Sequence, residues 1–311
     1  MMRGKKHFAV ACRRVNGEIA TTSEPVEAGL LGRLKWLNRP FLRGTLAMID
    51  TLALGMKSLM WSANVAMEDE QARTSAEPPP TADGTGAARP AAVAAADPPA
   101  PAASRKVNDV VLSLTMFLAV GLAILVFLFA PSMFSKLIVG ADPKRFLERG
   151  LIEGGFKLTF FLLYIWGISH MKDIRRVFQY HGGEHKVINA FEAGENLNVE
   201  NVRKHTTVHV RCGTSFLLVV ILVSIIVFIG LPWDNLIIRL AYKLLLLPVV
   251  AGIAYEVIKL AGTRKRSKLV KLILTPGLLM QRITTQEPSD DQIEVAIRSF
   301  QCMREAEATE S

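Results

Sequence analysis

Four long apolar runs limit what this chain can fold into more than any other feature. An α-helix rises about 1.5 Å per residue, so roughly 20 apolar residues cross a hydrocarbon core about 30 Å thick. Residues 110–131 contain no charged side chain, and 155–171, 214–233 and 236–260 are also mostly apolar, with Lys157 in the second run and Arg239, Lys243 and Glu256 in the fourth. The chain is 50% hydrophobic and only 21% charged, with its apolar residues gathered into these runs. The expected fold is an all-α integral membrane protein with about four transmembrane helices. A small N-terminal β-hairpin module and further helices lie on the cytoplasmic side.

Charge sets the orientation. The net charge of +9 suits nucleic acid in principle, but the basic residues stand mainly beside the apolar runs. They are read as topology signals, with membrane lipid as the partner and no nucleic acid. Lys259, Arg264, Lys265, Arg266, Lys268 and Lys271 follow the fourth run and by the positive-inside rule stay in the cytoplasm. Alternation then puts both termini and residues 172–213 in the cytoplasm of a multi-pass plasma-membrane protein. Arg239 and Lys243 in the fourth run are expected to snorkel to the interface, and Glu153 and Glu256 to be interface residues near span ends. No apolar leader precedes the first run. Cys12, Cys212 and Cys302 are expected to be free thiols, Cys12 as a small core residue.

The rest divides around the apolar block. Residues 1–67 hold a hairpin, signalled by the alternation from Phe8 and by Asn16-Gly17, and then a helical pattern through Leu42, Leu46, Ile49, Leu52, Met56 and Leu59. Arg43, Asp50 and Lys57 interrupt that pattern, so an interfacial or partly buried amphipathic helix is expected. Residues 68–108 read as a disordered Ala/Pro-rich linker. Residues 109–260 form the membrane module and 261–311 a basic tail. In that tail Thr275-Pro276-Gly277 is expected to break the chain. Ser289 and Gln292 have the form of a capping box that opens a helix with Ile293, Ala296, Ile297, Phe300 and Met303 on one face.

The chemistry is concentrated in 172–213, which carries four of the six histidines. His181 and His185 are four apart, as are His205 and His209, and on a helix that interval brings two imidazoles to one face. Imidazole suits zinc, iron, nickel or copper, and a catalytic zinc commonly keeps three protein ligands and one open position. The ligand candidates are His181, His185, His205 and His209, with Cys212 as a further ligand or supporting group. Glu184, in the order His-x-x-Glu-His, is the candidate general base or fifth ligand. Arg203, Lys204 and Arg211 are candidates for holding a phosphate or headgroup. Gly182-Gly183 weakens any helix there by about 2 kcal/mol relative to alanine, so either the helix starts later or a close approach requires them.

These residues also resemble a known family. The run His181-Gly182-Gly183-Glu184-His185-Lys186, the stretch Val199 to His205 and Arg211-Cys212-Gly213-Thr214-Ser215 are similar to the YqhQ-like membrane family, domain of unknown function 1385. The likeness extends to Arg39-Pro40-Phe41-Leu42-Arg43-Gly44, to Lys57-Ser58-Leu59 and to Pro276-Gly277-Leu278 with Gln281-Arg282 and Thr284-Thr285. It covers all but the Ala/Pro segment. The resemblance implies a metal-dependent enzyme without a defined substrate. Val210 stands where the family usually has proline, and Gly183 where alanine is common. Members usually carry Gly-Gly-Gln-Ala and Glu-Gly-Val before a Met-Met-Arg-Gly like Met1 to Gly4 here, so an in-frame upstream segment is expected. The function expected is a metal-dependent hydrolase at the cytoplasmic membrane face, with a divalent transition metal, zinc foremost. The alternative is a non-enzymatic scaffold or assembly factor with a structural metal site.

Overall fold

The computed structural model describes residues 1–26, 42–76, 109–140, 142–210, 212–232, 235–263 and 268–309. Most of the expected Ala/Pro linker and the basic cluster at 264–267 fall outside these residues, as does Arg211.

The N-terminal hairpin is present and gains a strand. β1 (Met2–Arg3), β2 (His7–Arg13) and β3 (Ile19–Pro25) form an antiparallel sheet in the order β1-β2-β3. Phe8 pairs with Glu24 and Val10 with Thr22. Gly17 takes φ of 90° in the connecting turn, a conformation open to glycine, as the Asn16-Gly17 pair requires. Phe8, Ala9 and Val10 are all buried, because both faces of the sheet are covered.

Helix α1 (Leu42–Ala76) is one continuous rod of 35 residues, so the linker does not begin at 68. Arg14 bonds Asp69 at 3.0 Å and Glu68 at 3.0 Å, giving this last part of the helix a docking site on the sheet turn.

The apolar block folds as helices. α2 (Asp109–Ile124) runs through a π-turn at Leu125–Phe129 into α3 (Ala130–Val139), and α4 (Phe146–Ile168) returns beside it. α5 (Lys172–Glu192) and the short α6 (Val199–Arg203) lead to α7 (Gly213–Ile229) and α8 (Leu236–Thr263). α9 (Lys268–Thr284) and α10 (Asp290–Thr309) complete the chain. Among the described residues three segments are long and apolar enough to cross a membrane, Phe117–Val139, Phe146–Ile168 and Leu236–Leu260, and Gly213–Ile229 is a shorter apolar helix. The helix of the first run starts at Asp109 and continues past residue 131 to Val139, and the second begins earlier than its apolar run alone suggests.

Several charged residues in these helices are buried, not snorkelled. Arg239 and Lys243 of α8 are 1% and 0% exposed, and Glu153 of α4 is 3% exposed. Glu153 accepts from Arg239 at 2.9 Å and also pairs with Lys243, which reaches Ser132 of α3. Arg239 further donates to the Phe228 carbonyl at 3.0 Å and the Leu231 carbonyl at 2.5 Å, capping the C-terminal end of α7. A partner within reach removes the reason to snorkel, and α4 consequently starts well before its purely apolar stretch.

The remaining helices build a polar layer with its own core. Ile293, Ala296, Ile297, Phe300 and Met303 of α10 pack on Val187 and Ala190 of α5, Val202 of α6, and Met2 and Ala9 of the sheet. One half of the expected capping box opens α10, with the Ser289 amide donating to Gln292 Oε1 at 2.9 Å, while the Gln292 amide donates to the Ser289 carbonyl at 3.0 Å. The expected break at Pro276 does not occur. α9 continues through it, and a Cβ on Gly277 would lie 2.9 Å from Ser215 Cβ of α7, so close helix packing there prevails over the local breaker.

Candidate metal centre

Helix α5 is unbroken through Gly182-Gly183, and the second of the two explanations, a close approach, holds at Gly182. A Cβ on Gly182 would overlap the Gln286 carbonyl oxygen and lie 3.3 Å from Thr207 Cγ2. Only a glycine lets the α9–α10 connection and the 204–209 loop close over α5 at this point.

That closure orients two imidazoles. His181 Nδ1 donates to the Thr284 carbonyl at 2.9 Å, and His185 Nδ1 donates to the Thr207 carbonyl at 2.6 Å. A carbonyl only accepts, so both rings carry a proton on Nδ1, leaving Nε2 to donate to a thiolate while it is protonated or to ligate an ion once that proton leaves. His181 Nε2 stands 3.3 Å from Cys212 Sγ, and the ring centroids of His181 and His185 are 4.5 Å apart. One donor atom each from His181, His185 and Cys212 lies within 4.8 Å of the others. Cys212 is the N-cap of α7, and its Sγ accepts from the Thr214 amide at 3.4 Å and meets Thr214 Oγ1 at 3.0 Å.

Burial by itself raises the Cys212 thiol, but hydrogen bonds from His181 and His185 outweigh it and bring the group down to about 5. Burial pushes the His181 imidazole down, and the adjoining thiolate more than reverses this, so it titrates above its ordinary value. The cluster thus presents a thiolate and two imidazoles in preset orientation. This is the donor chemistry of a borderline-soft ion such as zinc, and three protein ligands leave a fourth position for water or substrate.

The other sequence candidates are distributed differently. Glu184 lines a cavity of about 720 Å³ together with His181, His185, His209 and Cys212, and its Oε1 meets the Met1 nitrogen at 2.6 Å. It borders the triad without belonging to it. The helical spacing expected for His205 and His209 is not realised, because α6 ends at Arg203 and residues 205–209 form a loop. His205 Nε2 turns to Glu195 Oε2 at 3.2 Å, away from the triad. His209 stays near, its ring centroid 5.8 Å from that of His185 and its Nε2 3.6 Å from Glu192 Oε1. Arg203 pairs with Asp290 and Lys204 with Glu200 at 3.3 Å, so neither is held toward the cavity.

Long-range hydrogen bonds hold that loop. Lys186, 3% exposed, donates to the Arg203 carbonyl at 2.8 Å, and Asn189 donates to the Thr206 carbonyl at 2.8 Å. Gln281, fully buried, accepts from the His209 amide at 2.9 Å and donates to the His209 carbonyl at 2.9 Å and Ser215 Oγ at 2.8 Å. Thr284 and Gln281 are thus positioning residues that the local pattern did not single out as such. The signal for them was their place among the residues shared with the YqhQ-like family.

Comparison with known proteins agrees with that likeness. The family described as "Protein of unknown function (DUF1385)" matches residues 39–306. The protein named "Uncharacterized protein YqhQ" of Bacillus subtilis (strain 168) is 35% identical over 316 aligned positions, which cover 99% of this chain and 90% of that protein. No solved structure matches. With both a match across most of its length and a relative of this similarity, the chain belongs to the DUF1385 family.

Proposed function

We propose that this protein is a metal-dependent hydrolase seated at the cytoplasmic face of the plasma membrane. In this reading four helices span the bilayer, α7 being the shortest, and the polar layer faces the cytoplasm with both termini. One ion, zinc by donor chemistry, is held by His181, His185 and Cys212. The observation that carries this is the convergence of three donor atoms within 4.8 Å while both Nδ1–H groups are engaged by backbone carbonyls. Such outer hydrogen bonds fix the tautomer and orientation of liganding histidines. A bound ion of this kind supplies Lewis-acid chemistry. Glu184, which borders the same cavity, is the general base of this reading, taking a proton from a water held there and passing it on. The cavity itself favours an open site over a closed structural one.

A second reading follows from the pairing of Cys212 with His181 at the start of α7. A thiolate beside an imidazolium is also the arrangement of a cysteine nucleophile. Elemental analysis of protein purified without chelators separates the two. The metal reading expects close to one equivalent of ion, lost in His185→Ala and Cys212→Ser and kept in His205→Ala. Wild-type protein below about a tenth of an equivalent refutes the metal reading, since such sites normally retain their ion, and leaves the nucleophile reading in place.

A further inference from the structure

Helix α1 starts far from the sheet on which it ends. Thr45 Oγ1 donates to the Pro248 carbonyl of α8 at 2.8 Å, and a Cβ on Gly44 would lie 3.0 Å from Gly252 Cα. The first turns of α1 therefore touch the backbone of α8. The membrane-length part of α8 is Leu236–Leu260, 25 residues, in which Pro248 is the thirteenth, about 18 Å from either end at 1.5 Å per residue. The other half of α1 belongs to the sheet layer. Lys57 pairs with Glu24 of β3, Ser62 Oγ meets Cys12 Sγ of β2 at 3.5 Å, and the Val15 amide donates to Asp69 at 2.9 Å. From Thr45 to Lys57 the helix rises about 18 Å, equal to the half-length of α8 it must cover.

Between these anchors one face of α1 is apolar and uncovered. Ile49, Leu52, Met56, Leu59 and Met60 are 39%, 65%, 52%, 65% and 62% exposed. At about 100° per residue they fall within one arc of roughly 100°. The polar groups of this stretch turn elsewhere: Asp50 is buried, Thr51 on the opposite face accepts from Arg3 of β1 at 3.0 Å, and Ser58 donates to the Leu54 carbonyl at 2.8 Å. A contiguous apolar stripe of this size marks an interaction surface, and it continues the depth range of α8.

We propose that residues 44–60 form a half-membrane helix that enters the bilayer from the sheet side, reaches its middle beside Pro248, and meets lipid acyl chains with Ile49, Leu52 and Met56 and the headgroup level with Leu59 and Met60. This rests on the reading of α8 as a span. It differs from an interfacial amphipathic helix, whose residues all lie at one depth.

The test uses the full-length protein in phosphatidylethanolamine–phosphatidylglycerol vesicles. A genetically encoded fluorescent amino acid replaces Ile49, Met60, Met67 or, on α8, Leu245, and the lipids carry a nitroxide either near the headgroup or near the chain terminus. Emission at position 49 should be quenched about twofold more by the deep nitroxide than by the shallow one, as at 245, with the order reversed at 60 and no quenching at 67. Quenching at 49 and 60 by the shallow nitroxide alike would place α1 in the interface and overturn the proposal. Absence of quenching at 49 and 60 with clear quenching at 245 would overturn it too, and protein–protein crosslinking through the stripe would then identify a second copy as its cover. Absence of deep quenching at 245 would overturn the span reading and the proposal together.

Discussion

Neighbouring glycines in α5 should respond to alanine with opposite signs. Both Gly182 and Gly183 lie inside the helix, so each Gly→Ala gains about 1 kcal/mol of helix propensity. At Gly183 the new methyl finds only ordinary contacts, the nearest being Ala296 Cβ and the Gln292 carbonyl oxygen at 3.6 Å. At Gly182 it meets the Gln286 carbonyl oxygen inside 3.0 Å and the Gln286 carbonyl carbon at 3.2 Å. That peptide cannot simply swing away, because the Gln286 amide donates to the Phe178 carbonyl at 3.0 Å and its side chain accepts from Arg175 at 3.1 Å. Propensity is common to both substitutions, so their difference isolates the clash, about 1–3 kcal/mol for overpacking. Thermal unfolding in detergent should separate G183A from G182A by roughly 2–12 °C, at about 2–4 °C per kcal/mol. The Thr284 carbonyl that holds His181 is two residues from the displaced one, so G182A should also lower metal content while G183A leaves it unchanged. Equal shifts in melting temperature, or a more stable G182A, would refute the close-approach explanation for the pair.

In chelator-stripped protein, alkylation of Cys212 by iodoacetamide should rise through about pH 5 and then level off, because the thiolate is the form present above that value. His181→Ala should move the inflection upward, since burial is then less opposed, and an unchanged profile would show that His181 does not hold the thiolate. Glu153→Gln leaves Arg239 and Lys243 buried without their carboxylate and should cost about 3–5 kcal/mol in resistance to unfolding by detergent. Lys157→Met removes an ammonium bonded to Ser224 Oγ at 3.1 Å and should cost far less, so equal losses would count against the ion cluster as the stabilising element.

Parts of this architecture were legible locally. Strand alternation and Asn16-Gly17 point to the hairpin of β2 and β3, though not to its register, in which Arg13 faces Ile19 across residues 14–18, and the spacing of Ile293, Ala296, Ile297, Phe300 and Met303 gives the buried face of α10. His181 and His185 were legible for the same reason, since their spacing operates within one helix. The second pair was not. His205 and His209 share the interval, but the interval means proximity only on a helix, and Lys186, Asn189 and Gln281 bind the carbonyls and amides of that stretch as a loop. Those bonds join residues 17 to 72 positions apart, which no local window contains. The same limit hid the partners of Glu153: a carboxylate near the end of an apolar run reads as an interface residue until the helix carrying its two cations is packed against it.

The ion cluster has a consequence for biosynthesis. On the four-span reading, α4 brings Glu153 and Lys157 into the bilayer, and each charged side chain at mid-membrane disfavours insertion by about 2.5–3.5 kcal/mol. Arg239 and Lys243 carry the same burden in α8. Neither helix is well suited to lipid alone, yet each supplies charges that the other lacks. Glu153 and Lys243 are 90 residues apart in the chain, an interval of about 5–18 s at ribosomal rates of roughly 5–20 residues per second. During that interval α4 has no partner for its carboxylate, so it must wait at the translocon or the interface until the α7–α8 hairpin emerges. Maturation of the membrane core is therefore gated by the last hydrophobic hairpin, and a nascent chain truncated before Arg239 would leave α4 poorly retained in the bilayer.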